Sequence, residues 1–198
     1  MNSESPPRSL ILASSSKYRK TLLQRLALPF DCQSPSTDET AGKDEAPADL
    51  VSRLATQKAL VVANKFPAAI VIGSDQLAIF AGQTIGKPGN HENARQQLTS
   101  FSGQNVEFLT AVTVFCRELG FYEQYTDSTR VCFRSLQAEE IERYLLQEKP
   151  YDCAGAFKAE SLGIVLFASI VSDDPTALNG LPLIQTANML RKAGILVP

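Results

Sequence analysis

Apolar residues along this chain follow two rhythms. Residues 9–13 and 69–73 predict strands built on the short apolar runs Leu10-Ile11-Leu12-Ala13 and Ile70-Val71-Ile72, which suit strands covered on both faces. Residues 17–27 instead put Leu22, Leu23 and Leu26 on one face of a helix. Residues 30–33 predict a second strand, and the polar, turn-rich stretch 34–46 predicts a loop. Pro47 then opens a long helix to about residue 66, at the position where its missing N–H costs little. Residues 76–80 and 83–86 form a hairpin-like pair turning at Ala81-Gly82. Asn90 caps a helix that runs to about Phe101 and ends at Gly103. Residues 104–115 and 121–133 read as an antiparallel strand pair, and 137–148 as a helix stopped by Pro150. Strand-like runs alternate with glycines over 151–172, and Pro182 opens a last helix ending at Gly194. Helices and strands interleave throughout, which predicts an α/β fold whose sheet is mixed and largely buried, flanked by helices. A single domain over 9–198 follows a short disordered tail at 1–8.

Composition narrows the function. The 198 residues are 44% hydrophobic and 20% charged, as in ordinary soluble globular proteins. The net charge of −2 comes with no basic block, which argues against a nucleic-acid-binding surface but not against a nucleotide pocket. No apolar run is long enough to span a bilayer, and residues 1–8 lack the apolar core of a signal peptide. Cys32, Cys116, Cys132 and Cys153 have no metal-ligand spacing and read as reduced, structural thiols.

The candidate chemistry gathers at strand ends. In Ile70-Val71-Ile72-Gly73-Ser74-Asp75-Gln76, Gly73 and Ser74 are expected to end the strand and leave Asp75 at its carboxyl edge, where α/β sheets bind ligands. Ser14-Ser15-Ser16 lies between a strand and a helix and suits an anion, though an ordinary serine N-cap explains it equally. Arg19 in the next turn opposes the helix dipole, which favours an anionic partner. Leu50, Val51, Leu54, Val61 and Val62 form an apolar stripe with Lys58 inside it. That lysine either points into a pocket or snorkels out along its stem. Lys87 sits in the turn Gly86-Lys87-Pro88, a common loop composition. Lys158 and Glu160, two apart, would share one face of a strand, as a site or as a solvated charge pair. His91 is the only histidine and reads as a surface residue, so no Ser-His-Asp or Cys-His arrangement is available. An acid with several cations near strand ends points to a metal-chelated polyphosphate. An ordinary aspartate is a weak base at neutral pH. A divalent metal that acidifies water would meet that need, with Asp75 and Glu39 as the best hard-oxygen ligands.

Several segments, in order, resemble the Maf family of nucleoside triphosphate pyrophosphatases over residues 10–190. They are Ala13-Ser14-Ser15-Ser16 with Arg19, Asp38-Glu39-Thr40, Lys58, Gly73-Ser74-Asp75-Gln76, Gly86-Lys87-Pro88 and Ser102-Gly103. Ala154-Gly155-Ala156-Phe157-Lys158-Ala159-Glu160 and Gly180-Leu181-Pro182 complete the set. The resemblance implies a fold of two lobes with the active cleft between them, as in inosine triphosphatases. It implies metal-assisted hydrolysis (Mg²⁺ or Mn²⁺) of the α–β anhydride of a nucleoside triphosphate, with Asp75 matching the proton acceptor. Ser14, Arg19, Lys58, Lys87 and Lys158 would then hold the phosphates. A cytoplasmic location and a homodimer are expected on the same ground. Tyr18, Gln76 and Glu160 match the specificity positions of the branch that prefers 7-methyl-GTP, a role in removing modified nucleotides. The pyrimidine-preferring branch usually has arginine at the first and glutamine at the last.

Lys17, Tyr18 and Ser161 depart from the branch's usual proline, tryptophan and glycine. N7-methylation gives guanine a delocalised positive charge, on which an aromatic ring gains about 1 kcal/mol by stacking. The Glu160 carboxylate would offset that charge and accept from the Watson–Crick edge. Alternatives are a pyrophosphatase for dTTP, UTP or inosine-type nucleotides, and a non-catalytic nucleotide-binding regulator of cell division.

Overall fold

In the computed structural model, which describes residues 8–197, a seven-stranded mixed sheet runs through the molecule. The strands are β1 (Leu10–Ala13), β2 (Asp31–Cys32), β3 (Ile70–Phe80), β4 (Gln83–Ile85), β5 (Asn105–Cys116), β6 (Phe121–Phe133) and β7 (Phe167–Val171). The helices are α1 (Lys17–Gln24), α2 (Pro47–Lys65), α3 (His91–Phe101), α4 (Ala138–Glu148) and α5 (Leu183–Lys192). The sheet order is β2-β1-β3-β5-β6-β7, with β4 pairing β3 as a side hairpin. β1 is parallel to β2 and β3, and every other pairing is antiparallel.

Two apolar clusters divide the molecule into lobes joined by the long central strands. One packs Leu98 and Phe101 of α3 and Ile141 and Leu145 of α4 against Val106 and Phe108 of β5. The other packs Leu22 and Leu23 of α1 and Leu190 of α5 against Leu12, Ile70 and Ile72. β5 gives Val112 and Val114 to this second cluster, so one strand serves both lobes. On the opposite sheet face, Ala59 and Val62 of α2 cover Ile11 and Val71.

Four expectations need correction. Gly73 and Ser74 do not end β3, because β5 pairs with it from Val71 to Ile79 and β4 pairs with its last residue, Phe80. Asp75 is therefore inside a strand. It still lies beyond the end of β1, whose pairing with β3 stops at Ala13 and Gly73. Helix α1 ends at Gln24, short of residue 27, where Ala27 is left-handed with φ 54°. The second strand shrinks to Asp31–Cys32. Over 151–172 only β7 is a strand; the rest holds two short 3-10 turns, Ala154–Ala156 and Leu162–Leu166. The expected tail falls outside the described residues except at Arg8, which donates to the Ala68 carbonyl at 2.9 Å. Among the described residues no helix is long and apolar enough to cross a membrane. All four cysteines are free thiols.

Candidate active site

Gly73 explains how the site is brought together. A Cβ there would lie 2.2 Å from the Ala55 carbonyl oxygen and 2.6 Å from the Ala59 nitrogen. Only glycine lets α2 approach β3 this closely. The close approach brings Lys58 of α2 onto Asp75 of β3, with Nζ 2.6 Å from Oδ1. Both residues are 7% exposed. Lys58 therefore does not snorkel; it turns inward. The same ammonium is 2.6 Å from Oε1 of Glu39, whose own side chain is 61% exposed in the 34–46 loop.

A second residue pins that loop. Arg53, on α2, donates from Nε and a terminal nitrogen to both oxygens of Glu45, at 2.7 and 2.8 Å. The same terminal nitrogen reaches the Thr40 carbonyl at 3.1 Å, beside Glu39. Its guanidinium, hydrogen-bonded to Glu45, pulls that carboxyl down to about 2. Sequence reasoning missed this pair because Glu45 lies outside the helix that carries Arg53.

At the carboxyl end of β1, Ser14 is buried, and its Oγ accepts from the Ser16 amide at 3.1 Å. Ser16 is the N-cap of α1 and accepts from the Arg19 amide, so the N-cap explanation of the serines holds for Ser16. No acidic residue stands in the first turn of α1. Its free N–H groups thus meet a local excess of positive charge. Arg19 donates from Nε to the Gly180 carbonyl at 2.9 Å. Burial lowers the pKa of this guanidinium, against the opposing pull of Asp75 and Glu39. Gly180, with φ 104°, also receives the Ser74 hydroxyl at 2.9 Å.

Gln76 holds the same segment. Its Nε2 lies 2.9 Å from Thr110 Oγ1 and 3.0 Å from the carbonyls of Ala177 and Leu178. Further back, the buried Asp174 accepts from Thr176 Oγ1 at 2.7 Å and from the Ile184 amide at 2.7 Å. It thereby caps α5, whose formal N-cap Pro182 makes no side-chain cap. The segment 174–181 is a rigid wall, and sequence patterning did not single out Asp174.

The opposite wall is residues 152–160. Tyr18, on α1, places its hydroxyl 3.7 Å from Cys153 Sγ across the cleft. Burial pushes the Cys153 thiol up to about 11 and raises the Tyr18 phenol. Lys158 and Glu160 do not share a strand face, since this stretch is irregular. The Lys158 ammonium turns to the end of α4, 3.2 Å from Glu148 Oε1 and 3.1 Å from the Glu148 carbonyl. Glu160 is exposed. Lys87, also exposed, makes no ion pair among the described residues. His91 is tied down by Tyr151 and Glu142, at 3.0 Å each, away from the cleft.

Ser14, Tyr18, Arg19, Glu39, Lys58, Asp75, Gln76, Lys87, Lys158 and Glu160 all line one cavity of about 560 Å³ between the lobes. Its floor holds a carboxylate locked to an ammonium, its β1 end offers amides and a guanidinium, and its rim carries an aromatic ring and a carboxylate. The protein is thus a two-lobed α/β protein whose cleft sets cationic and amide groups beside an aromatic ring and carboxylates.

The model of the "Maf-like protein" family matches residues 9–193, and the chain belongs to that family. Relatives named "7-methyl-GTP pyrophosphatase" align along nearly the whole chain. The one from Polaromonas sp. is 53% identical over 188 residues, covering 95% of this chain and 86% of its own. The one from Albidiferax ferrireducens is 51% identical and covers 98% of both chains. That from Xanthomonas axonopodis pv. citri is 54% identical, covering 96% of this chain and 98% of its own. Among solved structures, the Staphylococcus aureus Ham1 protein superposes with a TM-score of 0.53. It covers 95% of this chain and 100% of its own at 11% identity, a likeness of fold alone.

Proposed function

We propose that this chain hydrolyses 7-methyl-GTP between its α- and β-phosphates, releasing 7-methyl-GMP and pyrophosphate. The observation that carries the reading is the buried Lys58–Asp75 pair on the floor of a cleft that also presents Tyr18, Gln76 and Glu160. Relatives of 51–54% identity carry the name of this activity, which supports it.

The triphosphate lies along the hydroxyls and amides at the start of α1, beside Arg19 and Lys87. Lys58 keeps Asp75 and exchanges Glu39 for a phosphate oxygen, because Glu39 is the more exposed of its two partners. Asp75 then orients the attacking water and accepts its proton. The new P–O bond forms as the α–β anhydride P–O bond breaks. Lys158, engaged by Glu148, is the least available of the expected phosphate contacts.

Asp75 and Glu39 are the residues that would hold a divalent cation. Once a phosphate takes the place of Glu39 on Lys58, both carboxylates have oxygens to offer a cation. Mg²⁺ needs only one or two carboxylates when phosphates and waters complete its shell. Among the described residues there is no group of three or more His, Cys, Asp or Glu side chains that could hold a metal ion. Such an ion, when bound, neutralises phosphate charge and acidifies water. Tyr18 stacks on the methylated base, and Glu160 offsets its charge.

The test is pyrophosphate release from 7-methyl-GTP, GTP, ITP, UTP and dTTP, with Mg²⁺ and with chelator. The highest kcat/KM is expected on 7-methyl-GTP, and chelator is expected to abolish turnover. A higher kcat/KM on ITP, UTP or dTTP would reassign the substrate. Tight binding without turnover on any nucleotide would make the protein a nucleotide-binding regulator.

A further inference from the structure

We infer that Glu148, in the last turn of α4 and behind the cavity wall, is the positioning residue that sets Glu160 for base selection. The inference rests on the reading of Glu160 given above. The segment carrying Glu160 lies between two 3-10 turns and has no strand neighbour to fix it. Its shape comes from side chains. Glu148 Oε2 accepts from Ser161 Oγ at 2.8 Å and from the Leu162 amide at 3.1 Å. Its Oε1 pairs with the Lys158 ammonium at 3.2 Å. One carboxylate thus grips the chain on both sides of Glu160.

The grip is supported from either end. Lys158 also donates to the Glu148 carbonyl, a cation at a helix C-terminus where the dipole favours one. Its backbone amide donates to Tyr144 Oη at 3.2 Å, one turn earlier in α4. The Lys158 carbonyl accepts from the Ser161 and Gly163 amides at 3.2 and 3.0 Å, folding the segment back on itself. Glu148 is 12% exposed at its side chain, so water does not readily replace these bonds. Only an ionised carboxylate supplies acceptors for two neutral donors and a cation at once. Glu148 does not line the cavity. Its effect on the substrate must pass through the residues it holds.

The experiment compares Glu148→Ala and Glu148→Gln, each alone and combined with Glu160→Gln. It reads kcat/KM for 7-methyl-GTP, GTP, UTP and dTTP, and amide hydrogen exchange over residues 158–163. Glu148→Ala is expected to lower the 7-methyl-GTP to GTP ratio about tenfold, the scale of losing a charged hydrogen bond. Exchange in the segment should speed up, and in the Glu160→Gln background the ratio should fall no further. Glu148→Gln keeps acceptors for Ser161 and Leu162, so it should fall between; it is the variant read if the alanine form does not fold. An equal fall on every nucleotide with the ratio unchanged would make Glu148 merely structural and overturn the inference, as would additive effects in the double variant. If the wild type prefers another nucleotide, the substrate reading falls and the same cycle, read on that preference, still decides Glu148. A wild type with no preference at all would overturn both.

Discussion

Asp75 and Glu160 line one cleft from opposite kinds of support. Asp75 stands within an eleven-residue strand, paired along β5 and locked to a lysine on a helix packed tightly against it. Glu160 stands on an irregular segment, exposed, and held by one carboxylate on a neighbouring helix. Chemistry at phosphorus requires placement within about half an ångström, which regular elements provide. Selecting a base asks only for a complementary edge and charge, and loops on a rigid scaffold supply that. Damage to the floor should therefore cost rate on every nucleotide, and damage to the rim should cost discrimination.

The largest effect is expected at the floor. Asp75→Asn keeps volume but removes the proposed proton acceptor, and kcat should fall about a thousandfold on all nucleotides. KM should move little, because the phosphate contacts proposed for Arg19 and Lys87 would remain. Steady-state kinetics decide the matter; turnover within a few-fold of wild type would remove Asp75 from the catalytic role.

Lys58→Met should come next. It leaves the buried Asp75 carboxylate without its ammonium, and the open cleft softens that penalty to about 2 kcal/mol. The melting temperature should drop, and kcat/KM should fall about a hundredfold because the proposed phosphate contact and the placement of Asp75 would be lost together. A more stable protein with unchanged kinetics would mean that the pair serves neither purpose.

Gly73→Ala separates the floor from the rim most directly. The added methyl meets the backbone of Ala55 and Ala59, which cannot rotate away. Helix α2 must lift off β3, at a cost of about 2 kcal/mol. Lys58 moves with it, so turnover should fall on 7-methyl-GTP and GTP in equal proportion. A changed ratio between the two nucleotides would show that floor and rim are not separable.

How much of this was legible in sequence depended on how local each signal was. Lys58 interrupts an apolar stripe at helical spacing, and that anomaly pointed to the pocket it enters. Asp75 was found for an incomplete reason. Gly73 looked like a strand terminator, but it is the point of closest helix approach, and the pairing with β5 that extends β3 is not visible in the local pattern. The 151–172 stretch was misread because glycines between apolar residues look like strand punctuation. Its true shape depends on Glu148 and Tyr144, from a helix earlier in the chain. Asp174 escaped for a similar reason, since it caps a helix that begins nine residues later and follows a proline.

The smallest expected effects lie at the rim. Tyr18 is half-buried, with its hydroxyl at Cys153, so its ring is held in the cleft. Tyr18→Ala should lower kcat/KM for 7-methyl-GTP about fivefold more than for GTP, the equivalent of about 1 kcal/mol of cation–π attraction. Only the methylated base carries the ring charge, so GTP loses stacking alone. Glu160→Gln should erode the same preference by removing the compensating charge while keeping a hydrogen-bonding edge. Neither variant touches the Lys58–Asp75 pair, so kcat on GTP should stay near wild type in both. The measurement is kcat/KM for 7-methyl-GTP, GTP, UTP and dTTP in wild type and the two variants. Equal losses on the methylated and unmethylated nucleotides would mean that the ring and carboxylate hold the nucleotide without reading its charge. That would leave the pyrophosphatase chemistry of the floor intact and remove the basis for selection at the rim.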